Sequence, residues 1–371
     1  MRLCIISHQN ELTPQMLQFA RRMAARRIEV HAILPSFSVP RREVHCHDGI
    51  HRHIARVVPF PRLYYPSYVL SALLACLPLS RSIYLAHEVY TGLIAALAKL
   101  LTRRKTAIYV VDAQTDLKIG RGMWKSKLLI RTGRVIELVS VRSANLLIAL
   151  DSSLNPYLRA LGAGKSIVVS YGGNLEMFSK GDAKRIREKH GLTGMKVVTY
   201  AGGMEPHHGA QYLAMAAPII AGNCADARVI FVGDGPLRQD LERTAGKAGI
   251  FAGQVPYSDV PDYLAASDVL VIPAAPRSRY VSVITTKVFD YLSSGRAIVA
   301  TDVGGIRDAV GEACLIVPPE DPRGLAEAVT VLLSDENLRA ELGAKARRLA
   351  EERFDWNVLT DKLVTALKRL A

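Results

Sequence analysis

Two short apolar runs, VLVIP (269–273) and AIVAT (297–301), flank a helix-forming segment that stops at Gly295. Each run is apolar along nearly its whole length, the pattern of a strand buried on both faces rather than on one. Two such strands joined through a helix pair in parallel, and a parallel sheet needs helices over both faces. The chain is thereby held to the α/β class, whose ligands sit at the carboxyl ends of the strands. Here the helix opens near Thr285, behind a loop that carries Arg277 and Arg279. A helix start leaves backbone N–H groups unpaired and bears the positive end of the dipole, which suits a phosphate. Lys287 falls in the first turn. Asp290 follows about one turn on, within reach of a sugar hydroxyl beside that phosphate. An ordinary strand–loop–helix–strand unit with solvated arginines accounts for the same residues.

The alternation runs along the whole chain. LCIIS (3–7), EVHAIL (29–34), AIYVVD (107–112), ANLLIALD (144–151) and SIVVS (166–170) read as strands of a first domain. KVVTYAGG (196–203), RVIFVGDGP (228–236), IFAGQVP (250–256) and LIVPP (315–319) join the opening pair in a second. YGGNLEMFSKGD (171–182) reads as the crossing between them. At 371 residues and 49% hydrophobic, the chain fits two cores better than one. Its longest apolar run, Tyr68 to Leu79, is broken by Ser71 and Pro78 and is too short to span a bilayer. MRLCIIS turns polar at once, which speaks against a signal peptide, and five scattered cysteines fit a reducing cytoplasm.

Charge is unevenly spread. Residues 1–170 hold 24 Lys+Arg against 9 Asp+Glu, whereas residues 171–371 hold 24 against 25. The basic excess of the first half favours an anionic membrane, an acidic acceptor or nucleic acid, or is a solvated face without a partner. RLYYPSYVLSALLACLPLS (62–80) mixes aromatic, apolar and basic residues in a way that suits a membrane interface, although packing inside the domain explains it too. No nucleic-acid-binding module is recognisable. IGRGMWKSKLLIRTGR reads as a basic loop feeding a helix. In VHCHDGIHRH (44–53), Asp48-Gly49 is a hairpin turn. Pairing around it puts His45 and His47 on one face and Cys46, His51 and His53 on the other. Neither face offers four ligands, so a structural hairpin is favoured over a metal site.

Taken together, FVGDGPLRQDLE, FAGQVPYSDVPDYLAASDVLVIPA, KVFDYLSSGRAIVATDVGGIRDAV and FDWNVLTDKL, in this order, resemble a family-four retaining glycosyltransferase of the GT-B fold. SYGGNLEMF stands where that family writes a Pro-Asn-Gly-Val-Asp run. The resemblance covers residues 171–371 closely and residues 1–170 loosely, through LAHEV, YVVDA and DGIHRH. It implies two Rossmann-like doubly wound domains facing each other across a cleft. The divisions expected are an acceptor domain (1–171), a nucleotide-sugar domain (172–353) and a terminal helix (354–371) crossing back to the first. It also implies a nucleotide-sugar donor, UDP-type favoured, and a glycan, lipid-linked or small-molecule acceptor. No cofactor or metal is required. The base is expected on backbone near Gln254 and Val255, and the diphosphate on Gly202, Gly203 and the amides of Thr285, Thr286 and Lys287. The ribose is expected on Asp290.

Departures fall where chemistry is expected. The family places an Arg and, five residues on, a Lys against the diphosphate; here those positions are Gly203 and His208. Its two glutamates eight residues apart become Ser282 and Asp290, and a strand-end His becomes Gln114. The expectation is that Arg277 or Arg279 takes over the vacated charge, with His208 as rival, while Asp112 and Gln114 orient the acceptor. A glycosyltransferase-like subunit without turnover is the alternative. The expected location is the cytoplasm, peripheral at the inner face of the membrane.

Overall fold

The computed structural model describes residues 1–37, 45–120, 123, 125–276 and 284–370. The chain divides into two compact units, one formed by Met1–Ser170 with Trp356–Ala371, the other by Tyr171–Asp355. Each is a doubly wound α/β unit.

Within the first unit the strands in chain order are β1 (Arg2–Ile6), β2 (Glu29–Ser36), β3 (His45–His47), β4 (Ile50–Arg56), β5 (Ile83–His87), β6 (Thr106–Val110), β7 (Leu146–Ala149) and β8 (Ser166–Val168). Across the sheet they lie in the order β3-β4-β2-β1-β5-β6-β7-β8, parallel except for β3. β5 and β6 are buried at every position, as strands covered on both faces must be; β6 is expected from its apolar run, β5 is not. The hairpin forms where expected: Asp48 and Gly49 both take positive φ, and Cys46 pairs with His51. His31 of β2, which sequence reasoning did not connect to it, stacks on His51 and places its Nδ1 2.9 Å from His53 Nε2. Burial pushes His53 down to about 4 and His31 below the usual histidine range. Among the described residues no group of three His, Cys, Asp or Glu side chains is arranged to hold a metal ion.

One local reading changes. β6 stops at Val110, and Gln114 opens a short helix, Gln114–Gly120, rather than ending a strand. Its first turn is pinned from below: the Thr115 amide donates to buried Glu137 (2.8 Å), the Thr115 hydroxyl pairs with Tyr90 (2.8 Å), and Asp116 pairs with Arg134. The last helix, Trp356–Lys368, belongs to this unit. Trp356 meets Phe19 edge-on at 5.1 Å, and Arg26 pairs with Asp361 at 2.7 Å.

In the second unit β9 (Lys196–Ala201), β10 (Ala227–Val232), β11 (Gly249–Gly253), β12 (Val269–Ile272), β13 (Ala297–Thr301) and β14 (Leu315–Val317) form an all-parallel sheet in the order β11-β10-β9-β12-β13-β14. The chain leaves β9 toward β11, then returns to the other side of β9 at β12. That reversal opens a crevice at the carboxyl ends of the central strands. Helix Ala210–Asn223 covers one face through Leu213, Ala217 and Ile220, packed on helix Pro322–Ser334.

The loop after β9 is fixed by Gly209, which has φ +76° and caps this helix. A Cβ there would lie 1.6 Å from the Pro273 carbonyl oxygen. Gly209→Ala should therefore destabilise the second unit by at least about 2 kcal/mol, from the left-handed backbone and the overlap together. Chemical denaturation followed by circular dichroism reads this; an unchanged midpoint would contradict the packing described.

Candidate functional site

The crevice of the second unit is a cavity of about 420 Å³. Its walls come from the carboxyl ends of four strand–loop connections: Gly202, Gly203 and His208 after β9, Gly233 and Asp234 after β10, Gln254, Val255 and Tyr257 after β11, and Thr285, Thr286, Lys287 and Asp290 beyond β12. Nine residues singled out from the sequence thus meet in one place: Gly202, Gly203, His208, Gln254, Val255, Thr285, Thr286, Lys287 and Asp290. Arg277, Arg279 and Ser282 lie outside the described residues. Asp112 and Gln114 belong to the first unit.

At one end the helix Lys287–Ser294 begins, with Thr286 as its cap and the Thr285 carbonyl accepting from the Val288 amide (3.2 Å). Its positive end points at whatever fills that end of the cavity. Lys287 folds back across the floor. Its Nζ donates to the Tyr200 hydroxyl (2.9 Å) and lies 4.1 Å from the centre of the Tyr200 ring, while that hydroxyl donates to the Gly203 carbonyl. Only a glycine at 202 leaves room for this, since a Cβ there would sit 2.5 Å from Nζ. Burial pushes Lys287 down to about 7, with Glu205 pulling the other way. Glu205 also lies 2.8 Å from His208 Nδ1, which is 2.9 Å from the Gly203 carbonyl; two acceptors on one nitrogen mark Nδ1 as the protonated one.

At the other end Asp290 accepts from the Tyr257 hydroxyl (3.0 Å). Burial pushes its carboxyl up to about 7, against the pull of that hydrogen bond, and burial with Asp290 nearby pushes Tyr257 above the usual phenol range. The cavity therefore sets an ammonium-capable amine and a helix start at one end, and a carboxyl able to accept hydroxyl groups at the other. Tyr200, Glu205 and Tyr257 were not singled out from the sequence. Tyr257 carried one signal, its place three residues after Gln254.

The first unit gathers polar groups at its own switch point, beside β1 and β5. Glu88 is buried in a left-handed conformation (φ +84°). Burial, then the Asp112 charge, pushes it up to about 8, so it carries a proton at neutral pH. Next to it, buried His87 is pushed down to about 3 by burial and then by His8, so it is neutral. A strained, protonated carboxyl beside Asp112 is a group that can donate to and accept from hydroxyls.

Residues 195–335 match the family described as glycosyl transferases group 1. The chain is 28% identical over 185 residues to alpha-D-kanosaminyltransferase of Streptomyces kanamyceticus, covering 48% of this chain and 47% of that protein. It is 28% identical over 220 residues to the putative teichuronic acid biosynthesis glycosyltransferase TuaC of Bacillus subtilis, covering 58% and 54%. It spans about half the length of these curated relatives. Among solved structures, Anabaena Alr3699/HepE in complex with UDP superposes with a TM-score of 0.78 at 17% identity over 100% of both chains, which shows the GT-B fold.

Asp290 offers a test of the cavity's electrostatics. A carboxyl ordinarily ionised above about 4 holds its proton here to about 7. Its ionisation therefore costs folding stability progressively between those values, and the full cost remains above the higher one. Asp290→Asn removes that cost and keeps an acceptor for Tyr257. The thermal midpoint of the variant relative to wild type should rise between about pH 4 and about pH 7 and stay level above. Parallel midpoint curves would mean that the carboxyl is solvated.

Proposed function

We propose that this chain, a glycosyltransferase of group 1, moves a sugar from a nucleotide-sugar donor to a glycan, lipid-linked or small-molecule acceptor with retention of configuration. The observation that carries the proposal is the pairing in one cavity of a helix start and Lys287 with Asp290, an anion site next to a hydroxyl site. A nucleoside diphosphate has this layout: two phosphates beside a ribose diol. A UDP-type donor is favoured, because UDP occupies the structurally similar Anabaena protein.

In this reading the base rests on backbone at Gln254 and Val255, the ribose hydroxyls donate to Asp290, and the diphosphate faces Lys287 and the helix start. A leaving diphosphate gains negative charge, and fixed donors aimed at it are the largest catalytic contribution such a site offers. Lys287 supplies the cation whose usual positions are Gly203 and His208 here, with Arg277 and Arg279 as further candidates. This weakens the case for a subunit without turnover, which rests on those vacated positions. The leaving phosphate takes the acceptor's proton, so no separate side-chain base is needed. Asp112 and Gln114 orient the acceptor hydroxyl. No metal is needed, since the amine and the helix dipole neutralise the diphosphate.

UDP should bind in the presence of a chelator, and Asp290→Ala should weaken it by about 1–3 kcal/mol through loss of the ribose contact. Lys287→Met should lower turnover on the order of 100-fold. Calorimetry and release of nucleoside diphosphate across UDP, GDP and TDP sugars check both points. Failure of every nucleoside diphosphate to bind would overturn the proposal.

A further inference from the structure

The first unit carries a surface that its own fold leaves uncovered. The steps from β4 to β5, β5 to β6 and β6 to β7 all advance the same way across the sheet. Right-handed crossovers therefore put their main helices, Pro61–Cys76, Gly92–Thr102 and Lys127–Ser143, on one face. Gly92–Thr102 packs against both of the others, so the three form a single layer. The step from β1 to β2 runs the opposite way, which sends helix Pro14–Ala25 to the far face.

Pro61–Cys76 is apolar all round. It buries Tyr68, Ala72 and Cys76 against the sheet, yet Leu63, Leu70 and Leu74 lie exposed on its outer side, continued by Leu77 beyond its end. Their spacing of seven, four and three residues makes one stripe. Lys127–Ser143 repeats the pattern with Leu128, Val135 and Val139 facing out, and Leu100 (76% exposed) and Leu101 end the helix between them. A helix apolar on all sides is ordinarily buried on all sides. Exposed apolar area of this extent marks an interaction surface rather than solvent.

Charge selects the partner. The three helices contain one carboxylate, Glu137, and it is fully buried. Among the described residues the exposed charges at their ends and on their outer faces are all basic, Arg81, Arg103, Arg104, Lys127, Arg131 and Arg142 among them. Outward leucines ringed by cations with no exposed carboxylate fit an interfacial layer against anionic lipid headgroups, where the aliphatic side chains enter the acyl boundary and the cations meet phosphate. A protein partner or a second copy of the chain would have to bring its own acidic rim, and this face supplies none for a copy of itself. We propose that this helical layer docks the first unit onto an anionic bilayer surface, with the leucine stripe of Pro61–Cys76 at its centre. The proposal is independent of the catalytic reading of the second unit.

The test is cosedimentation of the full chain with phosphatidylcholine vesicles, with and without phosphatidylglycerol. Wild-type protein should pellet with the anionic vesicles, and the bound fraction should fall as salt rises. Leu70→Ser with Leu74→Ser should weaken binding at least about tenfold while leaving the thermal midpoint unchanged, because both side chains are exposed. Leu128→Ser with Val135→Ser, on the other helix, should act in the same direction and guards against a folding defect in the first pair. Wild-type protein that stays in the supernatant with both vesicle types overturns the proposal, as does undiminished binding of both variants. A dimer in solution that either pair converts to monomer would assign the face to a second copy and overturn it equally.

Discussion

A parallel strand can rejoin its neighbour only by crossing a face of the sheet, and most of this chain's architecture follows from that constraint. The crossovers bury both faces under helices, so the strands are buried throughout and mostly apolar, as β5, β6, β12 and β13 are. The polar groups are driven to the one place left for them, the carboxyl edge. In each unit the edge opens where the strand order reverses, between β1 and β5 and between β9 and β12. Among the carboxyl, imidazole and amine groups of the described residues, those that burial shifts furthest, Glu88 and His87 in one unit and Lys287 and Asp290 in the other, stand at those reversals.

Burial there works against charge, and the second unit resolves the conflict through geometry. An amine and a carboxyl in one cavity ordinarily pair and hold each other ionised. Here Lys287 turns to Tyr200 and Asp290 to Tyr257, so neither neutralises the other, and burial draws both toward neutrality. A site built this way is a poor ion pair and a good receptor, because an arriving anion restores the proton that burial has loosened on Lys287. Gly202 matters for the same reason: any side chain at that position would take the space of the ammonium.

Much of the scaffold could be read from residues alone. Continuous apolar runs gave most of the strands, though not β5, Asp48-Gly49 gave the hairpin turn, and Gly295 marked the end of helix Lys287–Ser294. The residues around the cavity were legible because they follow strand ends, where position along the chain is nearly position in space. What escaped were contacts between distant segments. Lys287 meets Tyr200 across 87 residues, and no periodicity reports that a lysine will fold back over a ring. The strand expected to end near Gln114 gives way to a helix because Glu137, more than twenty residues on, holds the Thr115 amide. The outward leucines of Pro61–Cys76 were hidden by the helix being apolar on every side, which leaves no face to assign. The expected cations Arg277 and Arg279, and Ser282, fall outside the described residues.

The central claim is that a loosely protonated Lys287 is the cation that meets the diphosphate. Near pH 8 the amine is mostly neutral and Asp290 mostly ionised. Binding of UDP at that pH must then draw a proton onto Lys287 and leave Asp290 unchanged. Calorimetric titration of UDP in two buffers of different ionisation enthalpy measures this directly. The account predicts uptake of up to about one proton by the wild-type protein and none by Lys287→Met. Equal proton uptake by the two proteins, or none by either, would contradict it.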